Sequence, residues 1–243
     1  MATLKTGYRE VQVSDGTTMQ VYSAKPDDSQ KHPGILIFQE GFGVNAHIRD
    51  VTERFARECW VALAPELYHR TAPGFEGKYD DVQAVMPHYT ALTPHALEAD
   101  VRAAYEALRS DPAADKDRVA CVGFCMGGRV SFLANTVLPL QAAISFYGGG
   151  IAPSPMGPGL LDRAPQSHAP ILLFWGGLDQ HIPPEQHRAI ADALRSAGKK
   201  YVNVEFSDAD HGFFCDARAS YNAAAASQAW ALALGFLKTH VEP

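Results

Sequence analysis

Three residues of this sequence have the types and spacing for nucleophilic chemistry: Cys125, Asp179 and His211. Cys125 sits in Gly123-Phe-Cys-Met-Gly-Gly128, directly after the apolar run Val119–Val122 and before a helical pattern. A nucleophile flanked by glycines at a strand-to-helix turn is the arrangement of a nucleophile elbow, with cysteine in the place more often held by serine. Such a turn lifts the side chain above the sheet edge and points it at a helix N-terminus, which favours a thiolate. A buried structural cysteine beside a glycine turn is the plain alternative. Chain order favours the elbow. Asp179 follows the apolar run 171–175 in Trp175-Gly-Gly-Leu-Asp-Gln-His-Ile-Pro-Pro184, and His211 follows the run 201–206 in Ser207-Asp-Ala-Asp-His-Gly-Phe-Phe214. Nucleophile, acid and then histidine is the order of an elbow triad.

These residues need a sheet to hold them. Apolar patterning predicts eight strands, at 9–13, 18–24, 34–39, 60–64, 118–123, 141–147, 171–175 and 201–206, with the first two joined at Asp15-Gly16 as a hairpin. Several are short continuous apolar runs, the pattern of strands buried on both faces. Helical spacing predicts 46–59 with Asn45 as N-cap, 95–109 with Thr93-Pro94 as cap and first turn, then 127–137, 185–197 ended by Gly198, and 219–239. A hairpin followed by β–α units implies an α/β fold: one domain over 1–243, mostly parallel and doubly wound, with helices on both faces. Cys125, Asp179 and His211 then all fall at carboxyl ends of strands, where open α/β sheets place their sites. Two connections are long, 65–94 and 148–170. The first carries Tyr68, Phe75, Tyr79 and Tyr89, which suits a pocket wall.

An oxyanion site in such a fold takes one backbone N–H from the residue after the nucleophile and one from the loop after the third strand, here Met126 and Gly41. Glu40 beside Gly41 is either a solvated loop acid or a group that approaches the thiol. Phe42, Phe124, Tyr147, Trp175 and Phe213 flank these motifs and either line an apolar acyl pocket or belong to the core. Cys59 and Cys121 are expected in the core, and Cys215 is read as an ordinary thiol unless its nearness to His211 gives it a redox role. His181 and His187 are six apart, off a common helical face, and are expected on the surface. Gly148-Gly-Gly150 lacks the lysine and hydroxyl of a phosphate loop.

Composition narrows the classes further. The 243 residues are 47% hydrophobic, enough for a core without staples, and 21 Lys+Arg against 27 Asp+Glu give a net charge of −6. That sign argues against nucleic acid or an anionic membrane as partner. The four cysteines show no metal-ligand spacing, so no metal is expected. No stretch approaches 18 apolar residues, and the start Met1-Ala-Thr-Leu-Lys lacks the pattern of a secretory signal, so a cytoplasmic protein is expected.

Four motifs together resemble the dienelactone hydrolase (carboxymethylenebutenolidase) family of the α/β-hydrolase superfamily: Gln39-Glu-Gly-Phe-Gly-Val-Asn45, Pro65-Glu-Leu-Tyr-His-Arg-Thr-Ala-Pro-Gly74, Gly123-Phe-Cys-Met-Gly-Gly128 and Asp210-His-Gly-Phe-Phe214. The likeness spans essentially the whole chain. It implies a Cys125–His211–Asp179 triad, Glu40 as the acid that handles the thiol proton at rest, and hydrolysis of a small lactone or ester without cofactor. The best-studied members hold the substrate carboxylate with two arginines, one after the fourth strand and one just past the histidine. Here no arginine lies between Thr71 and Val101, and the first one past His211 is Arg218. Arg70 is the remaining basic candidate in the first loop, so uncharged substrates are expected to be preferred. The rival readings are a lactone-binding protein without turnover and a thiol redox sensor. A monomer or weak homodimer is expected.

Overall fold

The computed structural model describes residues 3–154 and 157–241. All eight expected strands form: β1 (Leu4–Gln12), β2 (Thr18–Pro26), β3 (His32–Phe38), β4 (Val61–Pro65), β5 (Ala114–Phe124), β6 (Ala142–Phe146), β7 (Ile171–Gly176) and β8 (Tyr201–Phe206). They make one sheet in the order β1-β2-β4-β3-β5-β6-β7-β8. The hairpin β1–β2 and the pair β2–β4 are antiparallel, whereas β3–β4, β6–β7 and β7–β8 are parallel. Every residue of β3, β4, β6 and β7 is buried, in keeping with their predominantly apolar sequences. The chain divides into two compact units, one up to Ala120 and one from Cys121 onward.

In the first unit, α1 (Ala46–Arg57) starts at Asn45, whose side chain accepts the Ile48 N–H at 3.2 Å, and it buries Ile48, Val51 and Phe55. Its end corrects the sequence reading of Cys59. That residue is exposed, at φ +64°, in the position usually given to glycine. Its N–H donates to the Ala56 carbonyl and that of Trp60 to the Phe55 carbonyl, the paired bonds of a Schellman cap. A second helix, α2 (Val82–Ala91), lies inside the long connection 65–94. It was invisible in the pattern because Pro87 interrupts it and Val85 is its single buried residue. The next helix, α3 (Pro94–Arg109), is capped by Thr93 as expected and buries Leu97, Val101, Ala104 and Leu108 together with the charged Asp100.

In the second unit, α4 (Met126–Val137) follows β5 after one residue, and α5 (Pro184–Ser196) lies between β7 and β8. Gly198 closes the end of α5 at φ +67°. The connection 148–170 contains a short 3-10 turn at Leu161–Gln166, while its Pro155 and Met156 lie outside the described residues. The last helix, α6 (Ala223–Val241), begins four residues later than expected, because residues 215–221 form successive turns and Asn222 Oδ1 accepts the Ala225 N–H. Among the described residues no helix is long and apolar enough to cross a membrane.

Candidate active site

Cys125 occupies the single residue between β5 and α4. Its backbone is at φ +55°, ψ −115°, a conformation costing an L-residue about 1–3 kcal/mol that must be held by its surroundings. The Cys125 N–H donates to the Phe146 carbonyl at 3.0 Å, and the Cys125 carbonyl accepts the Gly128 N–H at 2.9 Å. Two glycines make the turn possible. A Cβ on Gly123 would overlap the Gly127 carbonyl, and one on Gly128 would come within 2.7 Å of Gly148 Cα. The turn therefore presents a half-buried thiol at the first turn of α4, where backbone N–H groups have no helical acceptor.

Asp179 follows β7 and is fixed by its own loop. One carboxylate oxygen accepts the N–H groups of His181 at 2.7 Å and Ile182 at 3.2 Å, and the other bonds His211 Nδ1 at 2.7 Å. Burial disfavours its charge, but the His211 hydrogen bond and charge, with the two backbone donors, more than offset this and hold its pKa below the usual carboxylate value. The imidazole of His211 lies between the rings of Tyr147, at 5.1 Å, and His181, at 5.6 Å. Burial opposes its protonation as well. The Cys125 sulfur and the Asp179 carboxylate overcome that opposition, and the His211 pKa is pushed up to about 10. Nδ1 is engaged by Asp179, which leaves Nε2 for the sulfur. Asp210 accepts the backbone N–H of His211 and Asp208 bonds Asn222, so Asp179 is the carboxylate that orients the ring.

The remaining expected site residues are placed as follows. Phe124 is fully buried, stacked between Phe146 (4.8 Å) and Phe214 (5.3 Å), and Phe213 is fully buried with its ring 5.3 Å from Tyr147. Trp175 stacks on His187 at 4.4 Å, so His187 is buried rather than on the surface, and its Nδ1 faces Glu205 at 3.3 Å. Cys121 is core, its thiol pushed up to about 12 by burial, and Cys215 is buried too. In the first unit, Glu40 is fully buried just past β3, the Gly41 carbonyl accepts the Tyr68 hydroxyl at 3.0 Å, and Phe42 packs edge-on against Tyr79. Arg70 has partners the sequence did not suggest. Its guanidinium clasps both Asp100 oxygens (2.7 and 2.8 Å) and also bonds Asp15, while His69 Nε2 meets the same Asp100 at 3.0 Å. Sequence reading also missed the contact of His181 with His211, for which the short spacing Asp179-Gln-His181 was the available signal.

A mostly parallel sheet, a strained cysteine turn ahead of a helix, and an Asp–His pair from the ends of β7 and β8 define the α/β-hydrolase fold. The comparisons narrow this class: the model of the "Dienelactone hydrolase family" matches residues 19–241, and the chain belongs to that family. It is a dienelactone hydrolase-like hydrolase, of a family that acts on small-molecule esters or lactones. A protein of Synechocystis sp. named "Putative carboxymethylenebutenolidase" is 37% identical over 86% of this chain and 87% of its own. The Escherichia coli K12 protein of the same name is 35% identical over 93% of this chain and 84% of its own. The crystal structure titled "Putative Dienelactone Hydrolase" from Klebsiella pneumoniae superposes with a TM-score of 0.89 at 30% identity, covering 97% of this chain and 98% of that one.

Proposed function

We propose that the chain, acting as one catalytic domain, hydrolyses activated esters or lactones through a thioester on Cys125. The observation that supports this reading is geometric: a strained turn holds a half-buried Cys125 thiol at the first turn of α4, and His211 is bonded to Asp179 at 2.7 Å. The sulfur attacks the carbonyl carbon and forms the C–S bond. The C–O bond to the alcohol then breaks, and the departing oxygen takes the His211 proton. Acylation removes the negative charge from the sulfur, so the imidazole loses its strongest support and becomes a better base. His211 next takes a proton from water, the hydroxide oxygen adds to the thioester, and the thiolate leaves as the acid is released. The N–H of Met126, at the start of α4, suits one oxyanion donor. Gly41 as the second donor, and Glu40 as the group that handles the resting thiol proton, are carried over from the family's motif. An easily expelled enolate or aryl oxide suits a thiolate nucleophile, whereas an amide does not.

Mass spectrometry during turnover of an aryl ester tests the mechanism. The wild type is expected to carry an acyl adduct on Cys125, and Cys125→Ala to lose hydrolysis while melting at a similar temperature. Undiminished hydrolysis by the alanine variant would exclude the cysteine as nucleophile.

A further inference from the structure

An open sheet has two edges, and the two edges of this one differ in kind. β1, first in the strand order, carries Lys5, Arg9 and Glu10, the charged side chains that keep an edge from pairing with another chain. β8, the last, reads Tyr-Val-Asn-Val-Glu-Phe, with Glu205 as its single charge and neither proline nor lysine. Its Val202 is 46% exposed. The Lys200 carbonyl accepts the Ile171 N–H at 3.1 Å and the Phe206 carbonyl accepts the Gly177 N–H at 2.8 Å, so both turn toward β7 and the loop that follows it. Backbone groups alternate sides along a strand. Tyr201, Asn203 and Glu205 therefore turn their N–H and C=O groups to the open edge.

This edge is complementary to itself. Lys200 precedes the strand, while Glu205 and Asp208 lie at its far end. Lys200 and Asp208 are exposed, and among the described residues neither is paired with an opposite charge. A parallel neighbour would set like charges together, whereas an antiparallel copy sets lysine beside carboxylates. A two-fold axis at Asn203, the middle outward residue, pairs Asn203 with the partner's Asn203 and Tyr201 with the partner's Glu205, making about six backbone hydrogen bonds. On one face Val202 then stands directly opposite the partner's Val204, and Lys200 lies diagonal to the partner's Asp208. On the other face the partner's Glu205 comes opposite Tyr201, whose hydroxyl already accepts from Arg195 at 2.9 Å. We propose that β8 pairs antiparallel with β8 of a second copy about a two-fold axis at Asn203, so that one sheet runs through both chains. A strand of six residues makes a small interface. A dissociation constant on the order of 10 µM suits one of that size, which selects the weak homodimer of the two states expected from the sequence.

Sedimentation velocity from about 1 to 200 µM follows the concentration dependence that a weak dimer must show. Wild type is expected to shift from monomer to dimer across that range. Val202→Lys, at an exposed position and so expected to melt with wild type, is expected to associate at least about tenfold more weakly. Lys200→Glu is expected to weaken the dimer, and Lys200→Glu with Asp208→Lys to restore it. A wild type that stays monomeric throughout, or a dimer equally strong in Val202→Lys, overturns the proposal. The register is tested by oxidising Asn203→Cys in a Cys59→Ser background, which removes the exposed native thiol. Facing residues of a hydrogen-bonded pair stand about 5.5 Å apart at Cα, within reach of a disulfide. Peptide mass spectrometry is expected to find the link between the two introduced cysteines, and none for Glu205→Cys, whose two copies lie on opposite sides of the axis. No link at Asn203→Cys, or an equal one at Glu205→Cys, overturns the two-fold at Asn203.

Discussion

His211 gathers the chemistry of the site into one titration. Its pKa is held at about 10 because the sulfur and Asp179 outweigh the cost of burying the charge. If the sulfur supplies the larger part, capping it must lower the value. We therefore expect the His211 ring resonances, followed by NMR, to titrate at lower pH after Cys125 is alkylated with iodoacetamide. An unchanged midpoint would assign the support to Asp179 alone. Asp179→Asn keeps the shape but loses a charge and favours the wrong tautomer, so it is expected to slow hydrolysis. His211→Ala removes the group that protonates the departing oxygen and then activates water in the proposed mechanism, and is expected to cost on the order of 10³-fold or more in rate. An Asp179→Asn variant with wild-type rate would mean that the 2.7 Å bond to His211 has no catalytic consequence.

At the level of elements, what the sequence revealed depended on how local the cause was. The strands were legible because burial on both faces forces unbroken apolar runs, and the caps at Asn45 and Thr93 because each acts within three residues. The positions of Cys125, Asp179 and His211 were readable for the same reason, each being the end of a strand. The helix α2 was not, since one buried valine gives no period. Nor was the cluster of His69, Arg70 and Asp100, whose members lie 30 and 31 residues apart and meet only after folding. Asp100 breaks the apolar face of α3, and that was the signal available. Removing its guanidinium partner leaves a buried carboxylate with His69 alone, so Arg70→Ala is expected to cost about 3 kcal/mol in denaturant unfolding. A loss below about 0.5 kcal/mol would show that His69 suffices. At the end of α1 the sequence error points the other way. Cys59 pays the left-handed cost that glycine avoids, so Cys59→Gly is expected to stabilise by about 0.5–1 kcal/mol, or raise Tm by roughly 1–4 °C. A lower Tm would show that the thiol makes a contact worth more than the backbone strain.

For the molecule as a whole, the site imposes a pH dependence on stability. A histidine raised from 6.5 to about 10 on folding stabilises fully below pH 6.5, and that contribution drains away as pH climbs through about 10. Asp179 has the opposite sign: its depressed pKa stabilises above the ordinary value of 3.8, and the contribution is lost as pH falls through its lowered folded value. The two together give a plateau from about pH 4 to 6.5 with losses on both sides. A second effect also acts on the alkaline side, because a chain of net charge −6 repels itself more strongly as further groups lose protons. Cys125→Ala separates the two. It leaves the surface charge as it was but withdraws the largest support of the His211 proton. Thermal melts between pH 6.5 and 10 are therefore expected to fall less steeply in Cys125→Ala than in wild type. Added salt should flatten the repulsive part in both proteins and leave most of the difference, since a buried pair is screened far less than surface charge. Parallel curves, or a difference abolished by salt, would place the alkaline loss on the surface and not at the cysteine–histidine pair.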